Sequence, residues 1–534
     1  MRNFIPIALG LSLSIGLPNA HAQSYRETGA YAITGVKIVS LTKADDYDFK
    51  NLPIGTILLR NGKIQAVGKN VVIPPDAEII KGDGLTAYPG LIDSYNKSGL
   101  TLPMWQPVQD TLPDTSSIAP PFMREANRKG VRPELRAVEN LTLTDAVLNP
   151  LRKEGGFTAS LFAPSGGTIN GVGVFVDLSG KPKREAVLRP ETGMSFTFGT
   201  SPESGGGTGY PGSLLGIIAH IRQTLLDSRH YSDLTSGKFA ESSEDRPPYD
   251  ASLESLKALL SRNQPVLFEA DNENEIVRAI HLSEEFKFNL IIVGGADAWK
   301  KAKLLADKKI PVIVSLNFGE DPAEKGKKPD PPKQVDKPKA DDTKPEPPKK
   351  EDSKSEPPTP NDKKTADDKP GVKAEDKKED KKENKKDEKK EDKKPEEEDE
   401  ATPKAVIEYN HTLWNEKVAN ALKLTQAGVE VRFTSNGLKS PSEFMKNLRL
   451  LIKAGMPKYN ALYDLSHLPS SLFPAQTLGR IEAGAIANLT LMSGDIFDEK
   501  RKVTRLFISK TKFDMDDDDA PVAPPTRRRP REIE

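Results

Sequence analysis

Apolar positions along the chain follow two rhythms. Between residues 30 and 87 they form short runs: Ala32-Ile33-Thr34-Gly35-Val36-Lys37-Ile38-Val39, Thr56-Ile57-Leu58-Leu59-Arg60 and Lys63-Ile64-Gln65-Ala66-Val67. The last two flank Asn61-Gly62, a pair that tolerates the positive φ angles of a tight hairpin. This pattern predicts a small β-region.

Farther on, strands alternate with helices. Residues 265–270, 289–293 and 311–316 read as buried strands, with amphipathic helices at 274–285 and 296–308 between them. After a long interruption the alternation resumes with a helix at 415–427, a strand at 429–433 and a helix at 442–454. Strands separated by single helices predict parallel βαβ units. Spacing alone leaves open whether the sheet is open or closed into a barrel.

The interruption, residues 321–404, holds 25 Lys and 27 Asp plus Glu, with no aromatic, Leu or Ile. It cannot bury enough apolar surface to offset the entropy of ordering its backbone, so its composition predicts disorder. Within it, residues 375–394 space opposite charges as a solvated helix does. A tether for a cell-envelope partner and a passive insertion both fit, and the low added cost of a longer loop favours the second. Subtracting the insert from 78 basic and 78 acidic residues leaves 53 (78 minus 25) and 51 (78 minus 27). No one-signed basic surface remains to suggest nucleic-acid binding. The tail, residues 514–534, carries a run of aspartates followed by Pro, Ala and Arg, and reads as disordered.

Residues 1–22 combine Arg2, an apolar run over 4–17 and the small-residue pattern Ala20-His21-Ala22. This is the pattern of a cleaved signal peptide, and the run is too short to span a bilayer. The expectation is a secreted or periplasmic protein with no transmembrane segment after cleavage. With no cysteine in the chain, disulfides are excluded.

Tyr88-Pro89-Gly90-Leu91-Ile92-Asp93, preceded by Gly62-Lys63-Ile64-Gln65-Ala66-Val67-Gly68 and Gly82-Asp83-Gly84, resembles the amino-terminal lead-in of the metal-dependent amidohydrolases. Leu478-Gly479-Arg480-Ile481-Glu482-Ala483-Gly484-Ala485-Ile486-Ala487-Asn488-Leu489-Thr490-Leu491 resembles that family's return into its β-domain. Tyr210-Pro211-Gly212-Ser213-Leu214-Leu215-Gly216-Ile217-Ile218-Ala219-His220-Ile221-Arg222-Gln223 and Val293-Gly294-Gly295-Ala296-Asp297-Ala298-Trp299-Lys300 are similar to the imidazolonepropionase-like branch. The resemblance implies an α/β fold: a (β/α)8 TIM-like barrel over 89–320 plus 405–477, and a β-sandwich composed of 30–88 plus 478–510. Its site would lie at the C-terminal mouth of the barrel strands.

The family hydrolyses non-peptide carbon–nitrogen and related bonds with a divalent metal, zinc by default, that activates water. The resemblance implies a His-x-His ligand pair directly after the Pro-Gly-Leu-Ile-Asp run. Here the stretch reads Ser94-Tyr95-Asn96-Lys97, so Tyr95 and Lys97 stand where imidazoles belong. The strand-end histidines expected later are replaced by Glu269 and Gly294, and the metal-binding Asp by Asn436. No metal or other cofactor is therefore expected. A protonated Lys97 repels a cation; it either pairs with Glu269 across the mouth or faces solvent, as Glu269 does.

Other chemistries lack support. His220 and His230 fall on one predicted helix roughly three turns apart, too far to share an ion. His281 lies on a surface helix, and His411 and His467 in apparent loops. Ser165-Gly166-Gly167 and Gly205-Gly206-Gly207 lack the lysine and spacing of a phosphate loop. Two functions remain: a hydrolase in which Asp93, Lys97 or Glu269 supplies acid–base chemistry without metal, or in which carboxylates hold a metal weakly, and a binding or scaffolding protein that keeps the pocket without turnover. Either would take a small cyclic amide or acyl-dipeptide-like ligand.

Overall fold

The computed structural model describes residues 29–41, 52–104, 124, 128–199, 211–236, 247–261, 263–323, 403–472 and 477–515. The predicted signal peptide, most of the charged insert and the tail beyond Met515 lie outside these. The chain divides into two units, one of residues 1–322 with 409–534 and one of 323–408. Both β-structures below belong to the first. Among the described residues no helix is long and apolar enough to cross a membrane.

The N-terminal strands are Ala30–Ile38 (β1), Ile54–Arg60 (β2), Lys63–Gly68 (β3), Glu78–Lys81 (β4) and Leu85–Pro89 (β5). Asn61 (φ 53°) and Gly62 (φ 76°) supply the left-handed pair that turns β2 into β3. There follow Leu91–Asn96 (β6), Phe157–Phe162 (β7), Ile169–Val172 (β8), Val174–Asp177 (β9), Val187–Arg189 (β10) and Met194–Thr197 (β11). The series continues with Val266–Ala270 (β12), Leu290–Gly294 (β13), Val312–Ser315 (β14) and Val431–Thr434 (β15), and closes with Leu489–Ser493 (β16), Lys502–Ile508 (β17) and Thr511–Asp514 (β18).

Both chain ends build one eight-stranded sheet in the order β18-β17-β16-β5-β1-β2-β3, with β4 also on β1. β1 pairs antiparallel with β2 along one edge, and parallel with β4 and then β5 along the other. A bulge between Ile33 and Val36 marks that switch. Gly35 sits inside it at φ 69°, and a Cβ there would lie 2.5 Å from Asp83 Oδ1, so only glycine fits. The sheet wraps around Ile33, Val36, Ile57, Ile64, Leu489 and Phe507. The structure thus shows one continuous sheet curled on its own core. It also runs past residue 510: Asp514, assigned from composition to the tail, ends β18. Its neighbour Phe513 lies under the Arg152 guanidinium, 4.4 Å from ring centroid to carbon.

The middle of the chain forms a TIM-barrel-like α/β arrangement. β11 to β15 are parallel neighbours in sequence order, and β6 is parallel to β7. The run 169–177 joins these two groups, because β9 pairs antiparallel with β7 and β8 antiparallel with β11. One stave of the expected all-parallel set therefore runs backwards. The parallel strands β12, β13 and β14 are nearly continuous apolar runs, as strands covered on both faces must be. Alternate residues Leu267, Ile291, Val293 and Ile313 point inward with Ile92, Ala159, Leu161 and Phe175. Their neighbours Val266, Phe268, Ile292, Val312 and Phe433 face the outer core shared with the helices.

Two helices differ from expectation for visible reasons. The segment 296–308 becomes a 3-10 turn, Ala298–Lys301, followed by helix Ala302–Asp307. The segment 415–427 is split into Lys404–Val418 and Asn420–Gln426. At the split, buried Asn420 accepts from Trp299 N and donates to Gly295 O, each at 2.9 Å, which ties the break to the turn after β13. His411 consequently lies in a helix rather than a loop, and His467 opens the helix His467–Leu472. The helix expected at 274–285 is Glu273–Phe286, opened by a capping box of Asn272 and Glu275.

Candidate functional site

Glu269 follows Leu267 by two residues on β12, so the two-residue period of a strand turns it inward at the C-terminal end. Tyr95, on β6, is fully buried and points to the same place. Its hydroxyl donates to Glu269 Oε1 at 2.9 Å and shares a 2.8 Å hydrogen bond with Ser195 Oγ. Lys97 Nζ reaches the other carboxylate oxygen, Oε2, at 2.5 Å. Of the two arrangements left open by the sequence, the structure shows the ion pair.

Burial, reinforced by the Glu269 charge, pushes the Tyr95 phenol well above its ordinary range. The hydroxyl thus keeps its proton and acts as a donor. The Lys97 side chain remains 34% exposed and that of Glu269 19%, so the ammonium borders solvent while the carboxylate is largely enclosed.

Asp93 lies deeper. Its carboxylate accepts from Ser435 N at 3.1 Å, Ser435 Oγ at 2.5 Å and Asn96 Nδ2 at 3.1 Å. Desolvation raises its pKa and these donors oppose the rise. The Thr434 hydroxyl also bonds the Tyr95 carbonyl. Together these contacts fasten β6 to the end of β15, and they occupy Asp93 as a structural pin. Asn436 bonds through its backbone, N to Thr434 Oγ1 at 3.0 Å and O from Ser315 Oγ at 2.7 Å. It is half-buried and directly follows Ser435.

Gly294, where a strand-end histidine was expected, is covered by Asp271. A Cβ at Gly294 would meet Asp271 Oδ1 at 2.3 Å, and its φ of 91° strains any side chain. Asp271 is exposed on its outer side, yet protein crowds its carboxylate. Desolvation, Glu275 and Glu269 raise its pKa, while the Ala296 amide and Lys97 lower it.

The structure thus gathers Tyr95, Lys97 and Glu269 into one cluster and sets Asp93 and Asn436 beside it as parts of the strand-end framework. Sequence reasoning missed Ser195, Ser435 and Asp271. Only Asp271 carried a signal, two residues after an inward Glu at a strand end. The histidines are dispersed: His220 Nε2 bonds Lys129 O at 3.0 Å, His411 Nδ1 bonds Asp321 at 2.7 Å and His467 Nδ1 accepts from Arg480 Nε at 2.8 Å. Among the described residues no three His, Asp or Glu side chains are grouped so as to hold a metal ion.

No family model matches the chain, and no curated protein matches it. Among solved structures it is similar to an amidohydrolase from Thermotoga maritima MSB8, with a TM-score of 0.61 at 20% identity over 91% of this chain and 100% of that one. It also aligns with a Xaa-Pro dipeptidase with bound methionine (TM-score 0.45, 14% identity, 91% and 100% covered). A molinate hydrolase aligns likewise (TM-score 0.42, 12% identity, 95% and 98% covered). The first likeness establishes an amidohydrolase-like fold for this chain.

Proposed function

We propose that this amidohydrolase-like scaffold carries a metal-free binding site at its mouth, for a small ligand bearing amide and carboxylate groups such as a cyclic amide or an acyl-dipeptide. One observation carries the reading: both oxygens of Glu269 are engaged, one by the Lys97 ammonium at 2.5 Å and one by the Tyr95 hydroxyl at 2.9 Å. An ammonium offers no lone pair, and its charge opposes a divalent ion beside the same carboxylate. The Asp271 carboxylate leaves no room for a side-chain donor at Gly294. The donor set present does not suit the family's metal.

The half-exposed Lys97 supplies a cation for a ligand carboxylate, and Asn436 lies on the same rim. The second reading, hydrolysis of a carbon–nitrogen bond, draws on the fold. Ser195, the hydroxyl bonded to Tyr95, is fully buried and out of reach of a substrate as a nucleophile, which favours binding over turnover. Export through residues 1–22 belongs to the same proposal, and the mass of the mature chain tests it by locating the new amino terminus at Gln23.

The deciding experiment combines elemental analysis of the purified mature chain, after incubation with zinc and manganese, with calorimetric titration of N-acyl-dipeptides and cyclic amides. The expected result is binding without turnover, lost in Lys97→Met, and metal well below one ion per chain. A full equivalent of metal, with hydrolysis that disappears in Glu269→Ala, would overturn it.

A further inference from the structure

Away from the mouth, a recess of about 360 Å³ lies on the seam between the curled sheet and the barrel. Three stretches of chain meet there: the end of helix Asp145–Lys153, the helix Pro441–Lys453, and residues 499–503 at the start of β17. Its charged lining is mostly basic, Lys153, Arg449, Arg501 and Lys502 against Glu154 and Glu499. Both acids are turned to other groups. Glu154 accepts from Ser442 N at 3.1 Å, and Glu499 pairs with Lys453 at 3.8 Å. The Arg501 guanidinium reaches the Glu154 carbonyl at 3.5 Å and the Met492 sulfur at 4.0 Å. Both contacts are longer than an ordinary N–H···O bond of about 2.7–3.2 Å, and neither acceptor carries a charge. Burial, followed by the neighbouring Arg449 charge, lowers the Arg501 pKa to about 10. Among the described residues no carboxylate pairs with Arg449 or Arg501. Two like charges therefore stand side by side in a recess with guanidinium donors to spare, an arrangement that an anion between them would stabilise.

The lining narrows the chemistry of that anion. A carboxylate brings two oxygens and one charge, enough for a single guanidinium fork. A phosphate monoester brings three terminal oxygens and nearly two charges, enough to bridge two forks. The rest of the lining includes Met445 and Val503, apolar side chains that offer a wall for an organic substituent. The volume is at the lower end for small-molecule sites, which span roughly 300–1,000 Å³. We propose that this recess is a second ligand site, which takes a small phosphate monoester with its phosphoryl group between Arg449 and Arg501 and its organic group against Met445 and Val503. The site is separate from the mouth and does not depend on the role given there to Lys97 and Glu269.

The test is calorimetric titration of the full-length chain with phenyl phosphate, inorganic phosphate and benzoate. Phenyl phosphate should bind at one site per chain, at least about tenfold more tightly than either of the others. Benzoate lacks the second charge and the third oxygen, and inorganic phosphate leaves the apolar wall unused. In R449M and in R501M the affinity for phenyl phosphate should fall at least about tenfold. Benzoate or inorganic phosphate binding as tightly as phenyl phosphate overturns the proposal. So does an affinity for phenyl phosphate that is unchanged in either variant, or the absence of binding to the unsubstituted chain. Should R501M fail to fold, R449M decides together with the comparison of the three probes, because Arg449 is only half-buried and its replacement leaves the buried Phe444, Leu448 and Leu451 of its helix in place.

Discussion

The Asp271 carboxylate lies over Gly294 so closely that a Cβ on the glycine would sit 2.3 Å from Oδ1. A position that the resemblance assigns to a metal ligand is therefore closed by its neighbour. Gly294→Ala should destabilise the chain by about 2–4 kcal/mol, from the strain of φ 91° and from overlap. Adding Asp271→Ala should recover the part due to overlap and leave the part due to strain. Urea unfolding measures both, and a neutral Gly294→Ala would refute this account.

Replacing Tyr95 and Lys97 together by histidine places two imidazoles beside Glu269, which would then be free of its ammonium and phenol partners. Zinc at a hundredfold excess over its dissociation constant should stabilise that double variant by about 2.7 kcal/mol in thermal unfolding. The unsubstituted chain should show no such gain. Equal stabilisation of both would mean that Lys97 does not bar the ion.

Asp227 provides a pH signature away from the mouth. Its Oδ1 accepts from Gln223 Nε2 at 2.6 Å, its Oδ2 has no hydrogen-bond partner among the described residues, and burial raises its pKa to about 6. The unfolded value is about 3.9, so between these two pH values the folded state holds the extra proton. Stability from this group is present below about pH 4 and is lost as the pH rises through about 6. Asp227→Asn should therefore be the more stable form at pH 7 to 8, by on the order of 1–3 kcal/mol. The difference should vanish near pH 4. Melting curves across that range would show the convergence, and a constant difference would contradict it.

Exchanging residues 324–402 for a flexible linker of roughly ten residues should leave the melting temperature within about 2 °C, as expected for a passive insertion. A deletion that begins at 321 should cost more, because Asp321 bonds His411 at 2.7 Å. A large drop from the shorter deletion would show that the insert packs and is no passive loop.

The strands 265–270, 289–293 and 311–316 were legible because strands buried on both faces become uninterrupted apolar runs, and the hairpin at Asn61-Gly62 because its φ angles demand those residues. The backward stave was not legible. Ile169-Asn170-Gly171-Val172 and Met194-Ser195-Phe196-Thr197 are short, mix polar with apolar side chains, and gain their identity only by pairing with each other. The mouth was legible one residue at a time, through Tyr95, Lys97, Glu269 and Asn436. Its wiring was not, since Tyr95 meets Ser195 and Glu269 from 100 and 174 residues away. The role of Asp93 as a pin depends on Ser435, 342 residues distant, a partnership to which no local pattern points.

The pairing of β5 with β16, in which Thr86 faces Met492, also sets an order of events during synthesis. One edge of β5 must wait, exposed, until nearly the whole polypeptide has left the ribosome, and an open strand edge invites association with other chains. The barrel segments between them can assemble earlier from near neighbours, whereas the sheet can only be sealed last. A partly translated or C-terminally truncated product should therefore aggregate through its N-terminal strands, however intact its barrel.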